Sequence, residues 1–419
     1  MLEPSSIPFG SPLALGFLFL GIVLFAGIAA LSHSDSRGFS AAMIYLGLSA
    51  AAAGVVRIFG IGTLVSPTAG AGVLDVVTTL ALALGLFATG MRIRRKPTID
   101  GWHLSLRLIL VAMPVTIAVA ALWSHALLGL GLGASIALGA AISPTDPVLA
   151  GDLGVGPPQA QEERSPEPEF VLTTEAALND GAAMPFLLLG VAVSRHDSLW
   201  HWAAAGVAYA VLGGLAVGVV LGRVLAVAAK KLRATEFLAQ DYDRWVGLAA
   251  GLAIFGAAES LGTLGFLAAF AGGVAFRRHE LESDYRREVH DGASVMTHFA
   301  ELAVMLVLGS MLVVGNFAKA GGWGIALAVA SVFVIRPAIA FMTLSFTKRL
   351  SPKERLWVAW FGVKGVASLN YAALVVGAGA FSTHDRDALV WVVLTAVAIS
   401  IVVHGATSHV ATARLLPER

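Results

Sequence analysis

The sequence predicts an all-α polytopic membrane protein with about 13 transmembrane helices. Of its 419 residues, 57% are hydrophobic and only 13% are charged, whereas soluble domains carry roughly 25% charged residues. Apolar runs of about 20 residues, the length at which a helix crosses the hydrocarbon core of a bilayer, recur along the whole chain. Backbone polar groups inside a bilayer are satisfied only in helices or closed barrels, so runs this long indicate helices.

The first apolar run has no basic residue before it and is longer than the core of a signal peptide, so we expect a retained helix. Loops are short, and no soluble domain is expected. The longest polar stretch, 151–169, is rich in proline and glutamate and predicts a connector. The predicted spans lie at approximately 11–32, 40–60, 73–92, 104–128, 132–152, 169–193, 200–228, 243–259, 263–277, 294–316, 321–345, 355–379 and 386–409.

Basic residues are distributed very unevenly over the loops. One alternate set of loops holds 20 of the 28 lysines and arginines, and the other set holds only Arg195, Lys319 and Arg386. Basic loops stay in the cytoplasm, so the pattern predicts a cytoplasmic C-terminus and, with 13 spans, an N-terminus outside the cell. We therefore expect a multi-pass protein of the cell membrane, either an inner or a plasma membrane, in contact with lipid.

Two spans carry signals of a broken helix. In the fifth span, Pro144 and Pro147 flank Thr145 and Asp146 at mid-depth, and proline interrupts the helical hydrogen-bond ladder. In the twelfth span, Lys364 and Asn370 lie in a glycine-rich setting. Unwound backbone at membrane depth survives only where it lines a cavity or is buried in protein. Broken helices at matching positions in the two halves of a chain predict an inverted-repeat transporter with its site where they cross.

Composition and motifs exclude several function classes. The net charge of +1 suggests no nucleic-acid partner, and the absence of cysteine excludes disulfides, thiol catalysis and cysteine metal sites. The 11 histidines show no metal-binding spacing, and no phosphate-binding loop is present. We expect neither an enzyme nor a resident metal or cofactor.

Five ionisable residues at membrane depth form the candidate site: Asp146, Glu175, Asp180, Arg336 and Lys364. Such residues are costly in a bilayer and mark functional positions, usually with a partner. Two cations and three acids suggest two internal pairs and one remaining acid, which is the candidate for chemistry.

Helix geometry separates the two acids of the sixth span. Glu175 and Asp180 are five residues apart, about 140° around a helix, so they face different neighbours. Glu175 shares a face with Asn179, and Asp180 shares a face with Ala176. Arg336 is the expected partner of Glu175, because a guanidinium binds a carboxylate in a bidentate manner and stays charged.

Lys364 is expected at the second break, where it would balance helix-end dipoles and the charge of Asp146. Burial disfavours the charged form of a lone carboxylate, and a bound cation favours it. A carboxylate tuned in this way binds either a proton or a cation. If it faces each side of the membrane in turn and crosses only when occupied, competition alone produces exchange of one proton for one monovalent cation.

The motifs SPTDP at 143–147 and EAALNDG at 175–181 resemble the monovalent cation/proton antiporter-1 family, the NhaP and NHE type of sodium/proton antiporters. The resemblance extends over the whole membrane region, and the two motifs about 30 residues apart make it specific. Further stretches that fit in order are ALGLFATGMRI (83–93), ESLGTLGFLAAFAGGVAF (259–276), HFAELAVMLVLGSML (298–312), IRP (335–337) and KGVAS (364–368).

The resemblance implies roles for the matching residues. Asp180 would alternate between proton and cation, and Asn179 stands where electrogenic relatives have a second aspartate, which implies electroneutral exchange. Thr145 and Asp146 would line the unwound crossing, with Thr145 offering a backbone carbonyl to the ion. Glu175 would pair with Arg336 and hold the core together.

The resemblance also implies a homodimer in which a core domain moves like an elevator against a dimerisation domain. The core would comprise parts of 73–193 and 294–409, and the dimerisation scaffold parts of 11–60 and 200–277. Two departures from the family pattern stand out. Ala176 replaces a serine whose hydroxyl helps to hold the ion in better-known members, and Lys364 replaces the usual arginine. We also expect this protein to lack the long cytoplasmic C-terminal domain of animal relatives.

Several alternatives remain open at this stage. Potassium could replace sodium (with lithium) as the exchanged ion, since both bind oxygen ligands. An organic-anion symporter on a related fold is the main rival; an intramembrane aspartyl protease and a cation channel lack their motifs. Asp180 could be a permanently protonated packing residue, and Asp146 could simply cap a broken helix. Three further residues, Glu259, His298 and His404, could be functional or structural.

Overall fold

The protein is a bundle of membrane-length helices, seen here in a computed structural model. All regular secondary structure in the described part of the chain is helical. The first predicted span and most of the connector at 151–169 lie outside the described residues. The described residues are 40–60, 64–93, 95–147, 167–235, 242–279 and 285–416, together with Leu18, Gly21, Ile22 and Phe25.

Each predicted span from the second to the thirteenth coincides with one helix or with part of a broken helix pair. Eight helical segments of the described chain are long and apolar enough to cross a membrane, and α4 and α13 are shorter apolar helices. The total number of crossings stays a prediction. In chain order the helices are α1 Ala41–Phe59, α2 Ala71–Arg92, α3 Ile99–Leu128, α4 Leu132–Ile142, α5 Glu167–Ala182, α6 Met184–Arg195, α7 Leu199–Ala234, α8 Asp243–Ser260, α9 Gly265–His279, α10 Tyr285–Val314, α11 Phe317–Leu344, α12 Pro352–Trp360, α13 Val366–Ala378 and α14 Thr383–Leu415.

Both predicted breaks are present. Helix α4 ends at Ile142 and is followed by non-helical residues 143–146. Helix α12 ends at Trp360, residues 361–365 are non-helical, and α13 begins at Val366. The remainder of the fifth predicted span, after Pro147, lies outside the described residues.

Local sequence signals explain where α12 begins. Ser351 is its N-cap, and its hydroxyl accepts a hydrogen bond from the backbone N–H of Glu354. The Glu354 carboxylate accepts in return from the N–H of Ser351 at 2.7 Å, which completes a capping box. Pro352 occupies the first helical turn, where its missing N–H costs nothing.

Glycines let α7 and α9 pack backbone to backbone. A Cβ at Gly218 or Gly222 would overlap the carbonyl oxygen of Ala268 or Gly272, so only glycine permits this approach. Gly218 meets Ala268 and Gly222 meets Gly272, so residue numbers increase in the same direction along both helices, which therefore run parallel. Helix α9 also packs on α2, which lines the candidate site.

The helices differ in how much of their surface the chain itself covers. In the most apolar stretch of α14, 78% of residues are buried, against 28% in α1 and in α7. Helix α14 therefore lies in the interior, and α1 and α7 lie at the periphery. The assignment of the peripheral helices to a dimerisation scaffold stays a prediction.

Candidate functional site

The two helix breaks contact each other through their backbones. The N–H of Asp146, in the first break, donates to the carbonyl of Val363, in the second, at 2.7 Å. Breaking a helix frees backbone donors and acceptors that must find partners in a dry interior. Here each break supplies partners for the other, so the crossing predicted from sequence is a direct contact.

Charged side chains stabilise the helix ends at this crossing. Oδ2 of Asp146 accepts from the N–H of Val366 at 2.8 Å, which places a carboxylate at the N-terminus of α13. Lys364, fully buried, donates from Nζ to the carbonyl of Ile142 at the C-terminus of α4. Both charges have the sign that the helix dipole favours. Asp146 therefore lies at the helix N-terminus and Lys364 at the helix C-terminus, the positions at which a cap and a dipole-balancing charge are expected.

Glu175 and Arg336 form the expected ion pair, with Nη2 of Arg336 3.2 Å from Oε2 of Glu175. Nη1 of Arg336 also donates to the carbonyl of Val358 at 2.7 Å. A Cβ at Gly362 would overlap the guanidinium group, so the glycine makes room for it. The arginine thus ties α5 and α11 to the final turn of α12 beside the second break.

Asn179 connects this ion pair to the first break. Its Nδ2 donates to Oε1 of Glu175 at 3.0 Å and to Oγ1 of Thr145 at 2.8 Å, and its Oδ1 accepts from the N–H of Thr145 at 3.2 Å. The Thr145 hydroxyl donates to Oε2 of Glu175 at 3.2 Å. A neutral amide is needed here, because only an amide both donates and accepts in this pattern.

Asp180 differs from these residues in its side-chain hydrogen bonding. It is fully buried, and neither carboxylate oxygen has a hydrogen-bond partner in the described chain. Its backbone carbonyl accepts from the hydroxyl of Tyr371, so the main chain is held while the side chain is left available. Buried polar groups are nearly always hydrogen-bonded, so a carboxyl group in this condition is a candidate for binding a proton or an ion.

The Asp180 side chain lines a small cavity with room for about one water molecule. Its wall includes two more acids, Asp146 and Glu301, and the first residue of α13, Val366. The remaining lining residues are apolar or glycine and come mainly from α2: Ala81, Leu82, Gly85, Leu86 and Pro147.

Glu301 is an acid of this cavity that the sequence argument did not include among the intramembrane groups. It lies in α10, inside the predicted span 294–316, and is 4% exposed. The signal was available in HFAELAVMLVLGSML, where one carboxylate interrupts an apolar run. The expectation of a single acid beyond the ion pairs therefore needs correction, because three carboxylates line this cavity.

Glu259 and His404 have structural contacts. Oε1 of Glu259 accepts from the N–H of Gly265 at 2.9 Å, at the start of α9. The His404 ring contacts the carbonyl of Trp360 through Nε2 at 2.9 Å and the Ser400 hydroxyl through Nδ1 at 3.0 Å. Both residues serve helix ends, and neither lines the cavity around Asp180.

Comparison with known proteins agrees with this architecture. A family model described as the transmembrane sodium/hydrogen exchanger matches residues 6–412. The Na(+)/H(+) antiporter NhaH of Halobacillus dabanensis is 27% identical over 299 residues, covering 68% of this chain and 69% of the relative. The K(+)/H(+) antiporter NhaP2 of Shewanella sp. strain MR-4 is 24% identical over 303 residues, covering 72% of this chain and 51% of the relative.

A solved structure has the same fold. The sodium proton antiporter MjNhaP1 from Methanocaldococcus jannaschii superposes with a TM-score of 0.71 at 15% identity, over 94% of this chain and all of that one. The family match spans nearly the full length, and the overall fold has a counterpart among solved structures. The chain belongs to the sodium/hydrogen exchanger family, whose members are multi-pass membrane transporters.

Proposed function

We propose that this protein is an electroneutral antiporter that exchanges sodium or lithium for protons at Asp180. The observation that carries the proposal is the fully buried Asp180 carboxyl group, which has no hydrogen-bond partner in the described chain and lines a cavity at the crossed helix breaks. Relatives that are sodium/proton antiporters support the choice of reaction.

Transport follows from competition for this group. Burial disfavours the bare charge, so Asp180 is stable in the membrane only with a proton or a cation bound. Asp146 and the backbone of Thr145 supply oxygen ligands at the break, while Asn179 and the Glu175–Arg336 pair hold Thr145 in place. Movement of the core between inward- and outward-facing states then carries one ligand in each direction.

Electroneutral exchange requires that only one carboxyl group, that of Asp180, alternates between a bound proton and a bound cation during the cycle. Glu175 is committed to Arg336, and Asn179 is neutral. Glu301 is the residue that bears most directly on this point, because it lines the same cavity. If Glu301 keeps its protonation state throughout the cycle, one proton exchanges for one monovalent cation. Glu301→Gln should then leave the stoichiometry unchanged.

Potassium/proton exchange is the second candidate. Ala176 provides no hydroxyl on the face of Asp180, so the site has one oxygen fewer to compensate the strong hydration of a small ion. Relatives that are potassium/proton antiporters favour the same alternative. An organic-anion symporter is not favoured, because three carboxylates in the cavity would repel an anion.

The setting of the transporter is also proposed. The distribution of basic residues over the loops favours a cytoplasmic C-terminus and an N-terminus outside the cell. The peripheral helices α1 and α7 suit the dimerisation scaffold of a homodimer, and the helices around the breaks suit the mobile core. The protein would act in the cell membrane, where it regulates internal pH and sodium.

Reconstituted protein tests the proposal. Proteoliposomes with an internal pH dye are exposed to sodium, lithium or potassium, for wild type and Asp180→Asn. Sodium and lithium should dissipate a proton gradient in the wild type only, and clamping the membrane potential should not change the rate. If only potassium dissipates the gradient, the exchanged cation is potassium rather than sodium or lithium. Normal transport by Asp180→Asn would show that Asp180 does not bind the transported ion and proton. If Asp180→Asn is folded but does not transport, the alternative that Asp180 is only a permanently protonated packing residue is excluded.

A further inference from the structure

A second polar group lies between α2 and α13, outside the site described above. Nδ2 of Asn370 is 3.1 Å from Oδ1 of Asp75, 3.0 Å from Oγ1 of Thr78 and 3.0 Å from Oγ1 of Thr79. The Thr79 hydroxyl also faces Oδ1 of Asp75, at 3.4 Å. One amide therefore closes a gap between two helices that is otherwise lined by oxygen atoms.

This group lies about one helical turn from the lining of the Asp180 cavity, on both α2 and α13. Asn370 is four residues after Val366, and Thr78 is four residues before Leu82; both Val366 and Leu82 line the cavity. Residues four apart share a helix face and are separated by about 6 Å along the axis. Asp75 lies about one further turn away, and its side chain is half-buried. Polar side chains thus extend from a partly exposed carboxylate to within about one helical turn of the cavity.

Two properties distinguish the group from ordinary helix packing. Asp75 lies in an apolar helix and makes no ion pair with any basic side chain in the described chain. Asn370 is 1% exposed, and its Oδ1 has no hydrogen-bond partner among the described residues. A membrane carboxylate and a buried amide oxygen in this condition indicate a site for a cation rather than a purely structural contact.

We propose that Asp75, Thr78, Thr79 and Asn370 form an outer binding station for the monovalent cation on its route to Asp180. The station lies at the outer end of α2, because the opposite end carries Arg92 and faces the basic loops. Carboxylate, hydroxyl and amide oxygens are the ligands that alkali cations accept as they lose water. An arriving cation takes the place of the Asn370 N–H donors at Asp75 and so loosens α13 from α2.

This inference rests on the proposed cation exchange and concerns one face of the membrane only. Sodium-driven proton movement is measured in right-side-out and inside-out vesicles from the same cells, for wild type, Asp75→Asn, Asp75→Glu and Thr79→Val. Asp385→Asn is the matched control, since it removes a carboxylate that is half-buried like Asp75 and lies at the same outer side, on α14. Size-exclusion chromatography in detergent establishes that each variant is folded.

Asp75→Asn should raise the apparent KM for external sodium by about five- to tenfold, the effect of losing one charged ligand, and leave the internal KM and the maximal rate nearly unchanged. Thr79→Val should cause a smaller change in the same direction, and Asp75→Glu should restore part of the affinity. If Asp75→Asn leaves the external KM for sodium unchanged, or changes the external and internal KM equally, the proposed binding station is refuted. A wild type that exchanges no alkali cation would instead overturn the proposed function.

Discussion

The guanidinium group of Arg336 lies 3.2 Å from the carboxylate of Glu175, with both side chains buried and 161 positions apart in the chain. The same guanidinium binds two backbone carbonyls at the end of α12, Val358 and Ala359. The ion pair therefore holds the carboxylate-bearing helix α5 against the second helix break. This arrangement supports the proposed division of roles, in which the pair keeps the site in shape and Asp180, about one and a half turns along α5, binds the proton or cation.

Breaking this pair should destabilise the protein strongly. Glu175→Gln retains the side-chain shape but leaves the Arg336 charge buried without its counter-ion, which costs about 3–5 kcal/mol in comparable sites. Thermal unfolding of purified protein in detergent should show a clear loss of stability. The double variant Glu175→Gln/Arg336→Leu should recover a large part of it, because no uncompensated charge remains.

The pair Asp100–Arg349 provides the control for this experiment. Its atoms approach more closely, at 2.8 Å against 3.2 Å, but the Asp100 side chain is 86% exposed. Asp100→Asn should change stability by no more than about 1 kcal/mol. If both acid-to-amide variants have the same small effect, the buried pair does not hold the core.

Asn179→Asp should make stability fall as pH rises. The new carboxyl group would face Oε1 of Glu175, which lies 3.0 Å from Nδ2 of Asn179. Two carboxylates this close cannot both ionise without strong repulsion, so the folded protein would hold a proton that the unfolded chain releases. Raising the pH then favours unfolding. The check is the unfolding temperature across a pH series.

The exposed Asn316 is the matched position for that series. Asn316→Asp makes the same chemical change in solvent and should show the pH dependence of the wild type. Parallel curves for Asn179→Asp and Asn316→Asp would contradict the assigned role of Asn179 as a neutral bridge.

Lys364→Met should weaken the crossing of the two breaks. Methionine fills much of the same space but leaves the Ile142 carbonyl, now bonded by Lys364 Nζ, without its donor. An unsatisfied buried acceptor costs about 1–3 kcal/mol. We expect a lower unfolding temperature and a lower maximal exchange rate. Lys353→Met, at an exposed position of α12, should affect neither quantity.

Ala176→Ser should tighten cation binding. Residue 176 is buried and lies four positions before Asp180, so a hydroxyl there would reach the same face of α5. One added oxygen ligand worth about 1 kcal/mol would lower the apparent KM for sodium about fivefold. Ala182→Ser places the same hydroxyl about 200° from Asp180 and should leave KM unchanged. Equal KM values for all three proteins would show that the hydroxyl does not reach the ion.

The helices and most of the site residues could be predicted from the sequence. Hydropathy, proline and charge are properties of short stretches, and they indicated the broken spans that the structure contains. They also singled out five residues that the structure places at or beside the crossing, while the roles of these residues stay predictions: Asp146, Glu175, Asp180, Arg336 and Lys364. The full number of spans and the direction of the chain through the membrane remain predictions. The prediction of one remaining acid was incomplete because Glu301 was treated as part of a motif rather than as a charge in a membrane span.

What the sequence by itself determined is where membrane-length helices form and which of their residues are too polar to face lipid. Only the tertiary structure decided which of those residues meet. Asp146 accepts from Val366, Glu301 joins the cavity of Asp180, and Asn370 meets Asp75, all across separate helices. The physical reason is that helix formation depends on local composition, whereas a contact between helices depends on how whole faces pack together.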